Sequence, residues 1–178
     1  MSNFDRLFDL VVSHEGCFTD NPADAGNWTG GRPGVGTCRG TMFGISAAAY
    51  PDMDIASSTR DQAKALYRRD YWDRIAGDQL PSALALLAFD AAINNGCDRA
   101  VRWLQQTAQV AQDGVIGPRT LDTIRLIGER PGGTTDLCVE FSAQRLIFMA
   151  SLPTWKTFGL GWARRSCRLP YEVLVIAS

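Results

Sequence analysis

The sequence lacks three features that would have indicated particular classes of protein. Lys and Arg do not outnumber Asp and Glu, and the formal net charge is -1, so no bulk positive charge is available for binding nucleic acid. No apolar run approaches the roughly 18 residues of a membrane span. The amino-terminal stretch MSNFDRLFDLVVSHEG carries charges inside its apolar pattern, unlike a secretory signal. We therefore expect a globular protein that is not membrane-integral and is synthesised in the cytoplasm.

The residues that hold metals and cofactors are also scarce. The chain has one histidine, His14, so a zinc site or a Ser-His-Asp triad has little to draw on. Five dispersed cysteines without a CxxC pair are typical of free thiols, and Cys17 with Cys38 is the one pair worth testing for a disulfide. No phosphate-binding loop occurs. We expect neither a metal nor a cofactor.

The apolar pattern predicts a mainly α protein with one irregular segment. Phe4, Leu7, Phe8, Val11 and Val12 follow the spacing of an amphipathic helix, and further helices are predicted from about residue 59 onwards, the first with a capping box of Ser58 and Asp61. From Gly16 to Gly44, eight glycines and two prolines indicate a loop or short hairpin. Ordered loops of this length are usually functional.

Carboxylates lie where this irregular segment begins. Glu15 continues the apolar stripe of the first helix, and removal from water there favours its protonated form, as a general acid requires. Asp20 and Asp24 follow in the loop, where we expect them to stay ionised; such a split suits glycosidic cleavage. A solvated Glu15 and aspartates that serve only as Asx turns explain the same pattern about equally well. Trp28, in a polar loop, is a candidate for stacking on a sugar.

Several of these motifs, in order, resemble the glycoside hydrolase 108 family. EGCFTDNPADAGNWTGG with GTMFGIS is similar to the family pattern E-G-G-[YF], D-P-x-D-x-G-G and T-x-[YFW]-G-I-[ST]. DYW, FDAAINNG, LQQTAQVAQDGVIGPRT and FGLGWARR also resemble that family and its companion peptidoglycan-binding domain. Two departures are Cys17 in place of a glycine and a longer insertion before Thr41, which leaves open the distance between Asp24 and Thr41.

The resemblance implies a lysozyme-like helical fold with a small β-hairpin or loop region after the first helix. It implies an N-acetylmuramidase in which Glu15 is the catalytic acid, with Asp24 and Thr41 positioning water. Asp20 is the reserve carboxylate, and Trp28, Tyr71 and Asn94 are candidate substrate contacts, although Asn94 serves equally well as a structural hydrogen-bonding residue. Asp90, inside an apolar helix, is interpreted as structural.

The resemblance also implies domains and a cellular role. We expect a catalytic region over residues 1–95 and a helical peptidoglycan-binding region over 96–178. The expected partner is bacterial peptidoglycan; we expect a monomer, no nucleic acid, and release to the periplasm or cell wall through a holin. A phage endolysin is the leading role. A lytic transglycosylase using the same Glu15 and a bacterial secretion or toxin-release muramidase stay open as alternatives.

Overall fold

The computed structural model describes residues 2–12 and 18–177, with side chains as far as residue 172. Its contacts divide the chain into two units, Met1–Arg68 and Arg69–Ser178. The described part is mainly helical, as predicted, with one two-stranded antiparallel sheet. The helices are α1 Asn3–Val12, α2 Arg60–Tyr67, α3 Ser82–Asn95, α4 Cys97–Thr107, α5 Pro118–Gly128, α6 Gly133–Ala150 and α7 Trp155–Ala177; the strands are β1 Thr41–Met42 and β2 Ile45–Ser46.

The first unit is built on the apolar stripe of α1. All five predicted stripe residues are buried. Phe8 meets Tyr67 of α2 edge to face, with ring centroids 5.5 Å apart. Outside the apolar contact, Asp9 pairs with Arg60 at 2.7 Å, and Lys64 holds the pKa of Asp5 well below its usual range. The predicted amphipathic helix therefore does pack by the face that the sequence indicates.

Helix α2 begins differently from the prediction. Its capping box is formed by Thr59 and Gln62, one residue later than the predicted pair: Thr59 Oγ1 accepts from the Gln62 N–H at 3.2 Å, and Gln62 Oε1 accepts from the Thr59 N–H at 2.8 Å. Ser58 instead donates its hydroxyl to the Asp54 carbonyl at 3.1 Å. The Thr-x-x-Gln pair forms the box because the side chain at the third helical position must reach back to the backbone N–H of the capping residue, and Gln is longer than Asp. A five-residue π-helical segment, Arg68–Trp72, continues from α2.

The second unit is assembled around α3, which is buried from Leu84 to Ala92 and packs against α4, α6 and α7. The helix ends at Gly96, whose φ of +91° favours glycine. Asp90 is fully buried on α3. Its carboxylate contacts two guanidinium groups, Arg145 of α6 at 2.7 Å and Arg165 of α7 at 2.5 Å. Asp90 thus ties three helices together, as its structural interpretation anticipated.

The turn before α5 is held by one buried side chain. Gln105 of α4 donates to the Asp113 carboxylate at 2.6 Å and to the Val115 carbonyl at 3.0 Å, and it accepts from the Gly114 N–H at 2.9 Å. Pro118 then opens α5, a position where its missing N–H costs nothing. The sequence QDGVIGP is therefore a structural element in this unit.

The boundary between the two contact units lies at Arg68, N-terminal to the predicted domain boundary at residue 95. The functional division into 1–95 and 96–178 stays a prediction. Among the described residues, no helix combines the length and apolar character needed to cross a membrane.

Candidate active site

The glycine-rich segment after α1 is an ordered loop closed by backbone pairing. Thr19 and Thr41 form an antiparallel bridge, with N–H to carbonyl distances of 3.0 and 2.8 Å. Further along, Trp28 and Cys38 form a second bridge. The residues between Trp28 and Cys38, which include the extra residues before Thr41, form a loop whose two ends are paired with each other. The insertion therefore returns the chain to the start of the loop instead of carrying Thr41 away.

Asn27 is the buried centre of this loop. It is fully buried, its Nδ2 donates to the Asn21 carbonyl at 3.0 Å, and its Oδ1 accepts the Thr41 hydroxyl at 2.7 Å. Its backbone carbonyl accepts from the N–H groups of Arg39 and Gly40 at 2.8 and 3.1 Å. Both ends of its side chain and its carbonyl are satisfied by the loop, so Asn27 fixes the position of Thr41 relative to the first half of the loop.

Asp24 and Thr41 face one small space beside Gly26. Asp24 is exposed and caps the 3-10 turn Ala25–Asn27, accepting from the Gly26 N–H at 2.9 Å through Oδ1. A Cβ atom placed on Gly26 would lie 3.3 Å from Asp24 Oδ1 and 4.0 Å from Thr41 Oγ1. The two oxygens are thus no further apart than the sum of those distances. The structure brings these two predicted site residues together, because both oxygens lie within 4.0 Å of the position that a Cβ atom on Gly26 would take.

The hairpin that carries Thr41 is attached to the helices of the same unit. In β1 and β2, Thr41 is paired with Ser46. The Tyr67 hydroxyl of α2 donates to the Phe43 carbonyl at the turn, at 3.3 Å. Because Tyr67 is itself buried against Phe8 of α1, its hydrogen bond anchors the hairpin to the helical core of this unit.

The other predicted loop residues have structural partners. Trp28 is half-buried, and its indole N–H donates to the Pro22 carbonyl at 2.9 Å, which pins the stretch before Asp24. Asp20 is exposed, and its backbone carbonyl accepts the Cys38 thiol at 3.4 Å. Cys38 is a free thiol in the structure. Glu15, His14 and Cys17 lie outside the described residues, so the predicted catalytic acid has no described geometry.

Two predicted substrate contacts belong to the second unit. Tyr71 is half-buried in the π-helical segment, and burial, with the nearby Cys97 and Asp70, raises its pKa. Asn94 is exposed near the end of α3, and its amide donates to the Asp90 carbonyl at 2.8 Å. The hydrogen-bonding role considered for Asn94 is therefore present in the structure; a role in substrate binding is a separate prediction. In the described ranges, no three His, Cys, Asp or Glu side chains cluster as a metal site would require.

Sequence reasoning missed Asn27 and Gly26. The available signal was the position itself: Asn27 occupies the place of the second glycine in the D-x-G-G pattern. A polar residue in place of a glycine, three positions after a candidate carboxylate, indicates that this position makes polar contacts in the loop. Its hydrogen bond with Thr41, however, joins residues 14 positions apart in sequence, which local patterns do not reveal.

A mainly helical chain with a carboxylate-bearing loop and a short hairpin after its first helix has the architecture of a lysozyme-like glycoside hydrolase. Residues 8–96 match the family model described as Glycosyl hydrolase 108. The chain belongs to this family and is a glycoside hydrolase.

One similar solved structure is described as "Structure of Brucella abortus SagA". It is 32% identical, with a TM-score of 0.76 over 97% of this chain and 94% of that chain. A comparison with curated proteins found no match. Together, the family and the structural match support a peptidoglycan hydrolase in general terms.

Proposed function

We propose that the protein is an N-acetylmuramidase. It hydrolyses the β-1,4 bond between N-acetylmuramic acid and N-acetylglucosamine, with Glu15 as general acid and with Asp24 and Thr41 holding the attacking water. The observation that carries the proposal is the space beside Gly26, which the Asp24 carboxylate and the Thr41 hydroxyl both face. The family membership supplies the reaction class, and this space supplies a place for its second reactant.

The hydrogen bonds around that space suit a water that loses a proton. The Thr41 hydroxyl hydrogen is committed to Asn27 Oδ1, so the oxygen of Thr41 offers its lone pairs to a water. Asp24 Oδ1 already accepts from Gly26, and among the described residues Oδ2 of Asp24 has no hydrogen-bond donor. A water between the two residues donates one hydrogen to each, which orients its own lone pair outward for attack. Asp24 then takes the proton as general base.

The same arrangement predicts inversion at the anomeric carbon. A carboxylate that acts through a water, instead of attacking directly, leaves the product with the opposite anomeric configuration. Glu15 contributes the complementary step by protonating the departing glycosidic oxygen. Glu15 lies outside the described residues, and its role as general acid rests on the resemblance of the motifs.

The experiment is a matched pair of loop variants assayed on purified peptidoglycan. We expect Asp24→Asn to lower kcat by roughly 10²- to 10⁴-fold, the usual contribution of a general base, with little change in KM. Asp20→Asn is the control, because Asp20 is an exposed carboxylate of the same loop, and its hydrogen bond with Cys38 is made by its backbone carbonyl. Full activity in Asp24→Asn with loss in Asp20→Asn would transfer the role to the reserve carboxylate and contradict the proposal.

A second measurement tests how Thr41 takes part. Thr41→Ser keeps the hydroxyl that Asn27 accepts, whereas Thr41→Val keeps the shape and removes it. We expect the serine variant to retain most activity and the valine variant to lose roughly tenfold or more, the value of one hydrogen bond to a reacting group. Equal activities of the two variants would exclude a role for the hydroxyl.

The cellular role that we propose is that of a phage endolysin, acting as a monomer on the wall after release through a holin. It rests on the resemblance of the motifs. The test is expression in a bacterial host with and without a holin-type pore: lysis only with the pore supports the proposal. Wall cleavage that accompanies protein secretion without lysis would favour the secretion or toxin-release role.

A further inference from the structure

A small cavity of about 140 Å³ lies in the second unit, where the end of α3 meets α6 and α7. Pockets for whole small molecules span roughly 300–1,000 Å³, so this cavity has room only for the end of a larger ligand. Its walls combine cationic, amide and aromatic groups: Asn94, Arg145, Leu152, Trp162 and Arg165 are among them. The activity proposed above uses none of these residues except Asn94, and only as a candidate contact.

Arg145 supplies an incompletely used guanidinium group to this cavity. Its side chain is 5% exposed. Its Nε donates to Asn95 Oδ1 at 2.9 Å, and its Nη1 makes a close ionic contact with Asp90 Oδ2 at 2.7 Å. Among the described residues, its Nη2 has no acceptor. Asp90 does not fully neutralise the charge of Arg145, because its single carboxylate also contacts Arg165. A buried guanidinium with donors left over favours a second carboxylate, which its planar fork matches.

The other walls complement a small peptide end. The Asn94 amide nitrogen is committed to Asp90, which leaves its Oδ1 to accept an amide N–H. Trp162 packs against Trp155, with ring centroids 6.1 Å apart, and in the described part of the chain its indole N–H has no acceptor. Leu152 adds an apolar wall. A carboxylate, a methyl group and an amide N–H are the features of an acylated alanine.

We propose that this cavity binds the terminal carboxylate of a short peptide ending in alanine, the kind of group carried by the peptide side chains of peptidoglycan. The identity of that peptide rests on the proposed function; the carboxylate site rests on Arg145, Asn94 and Trp162. The cavity would hold the peptide while the glycan is cleaved elsewhere, and it takes no part in the bond-breaking step.

The test uses the full chain labelled with ¹⁵N and the probe N-acetyl-D-alanyl-D-alanine. We expect saturable shifts of the Trp162 indole and Arg145 Nε signals. The C-terminal amide of the same probe should bind at least roughly tenfold more weakly, because it lacks the charge that Arg145 recognises. Equal binding of the amide, tighter binding of inorganic phosphate, or no saturable shift of these signals would overturn the proposal.

Two variants locate the binding. Leu152→Phe fills the cavity without touching the ionic groups and should abolish the shifts, while Ile147→Phe, on an exposed position of α6, should leave them unchanged. Hydrolysis of peptide-free glycan strands is measured in parallel. Loss of probe binding with intact glycan hydrolysis in Leu152→Phe supports the site, whereas unchanged binding in that variant contradicts it. Failure of wild type to cleave glycan would contradict the proposed function alone.

Discussion

Replacing Gly26 by alanine places a methyl group in the space that the proposed water occupies. The added carbon would lie 3.3 Å from Asp24 Oδ1, 4.0 Å from Thr41 Oγ1 and 3.6 Å from Ser46 Cβ. A water needs roughly the volume of one probe sphere and two to four polar partners. The methyl group would take up volume beside both oxygens, and its 3.3 Å contact would move Asp24 Oδ1 by a few tenths of an ångström. We therefore expect kcat to fall by roughly 10²-fold or more, as when the general base is lost.

The same change should hardly affect stability. The backbone at Gly26 is not in the left-handed region, and alanine at a compatible position stabilises by roughly 0.4–1 kcal/mol through the unfolded chain. The 3.3 Å contact offsets part of this, so the net effect should stay within about 1 kcal/mol, or roughly 2–4 °C in Tm. Gly117→Ala is the matched control, since its added Cβ meets nothing within 4 Å.

Turbidity clearing of purified cell walls and thermal unfolding, measured on the same preparations, are the assays. We expect Gly26→Ala to be folded and nearly inactive and Gly117→Ala to be folded and active. A folded Gly26→Ala variant with at least half of wild-type activity would refute the assignment of this space to the attacking water.

Two further predictions concern the second unit. Asp90→Asn removes the only negative charge that contacts the buried Arg145 among the described residues, and it should lower the free energy of unfolding in urea by about 3–5 kcal/mol. Asp98→Asn should have a much smaller effect, because the pair of Asp98 with Arg102 is exposed; equal effects of the two changes would contradict the role of the buried ion pair. Burial raises the pKa of Cys138 to about 11, so roughly one Cys138 thiol in a thousand is ionised at pH 8. Alkylation of Cys138 by iodoacetamide should therefore be slower than alkylation of the exposed Cys167, and its rate should keep rising up to about pH 11. Equal alkylation rates of the two thiols at pH 8 would contradict this prediction.

The helical elements were predictable because their signals are local. The α1 stripe depends on residues that lie close together in the sequence, and the structure confirms it. The glycine that ends α3 and the proline that opens α5 are signals of the same local kind. The capping residue of α2 was wrong by one position, which is the expected limit of such patterns, because neighbouring Ser and Thr both suit a cap.

The arrangement of the candidate site could be predicted from the sequence only in part. Asp24 was predicted from its place in the loop and Thr41 through the resemblance, but the insertion between them left their distance open. That distance depends on the Thr19 bridge and on Asn27, contacts of long sequence separation that no periodicity encodes. The cavity beside Arg145 was missed for the same reason, since its walls come from α3, α6 and α7. The roles of all the predicted site residues stay predictions: Glu15, Asp20, Asp24, Trp28, Thr41, Tyr71 and Asn94.

Mass-spectrometric analysis of purified peptidoglycan digested by wild type and by Glu15→Gln tests both the hydrolytic reaction and the general acid. We expect wild type to release muropeptides with reducing N-acetylmuramic acid ends, each heavier by one water than the 1,6-anhydro form, and Glu15→Gln to release almost none. Mainly anhydro products from wild type would indicate a lytic transglycosylase, and release at the wild-type rate by Glu15→Gln would contradict the assignment of the general acid.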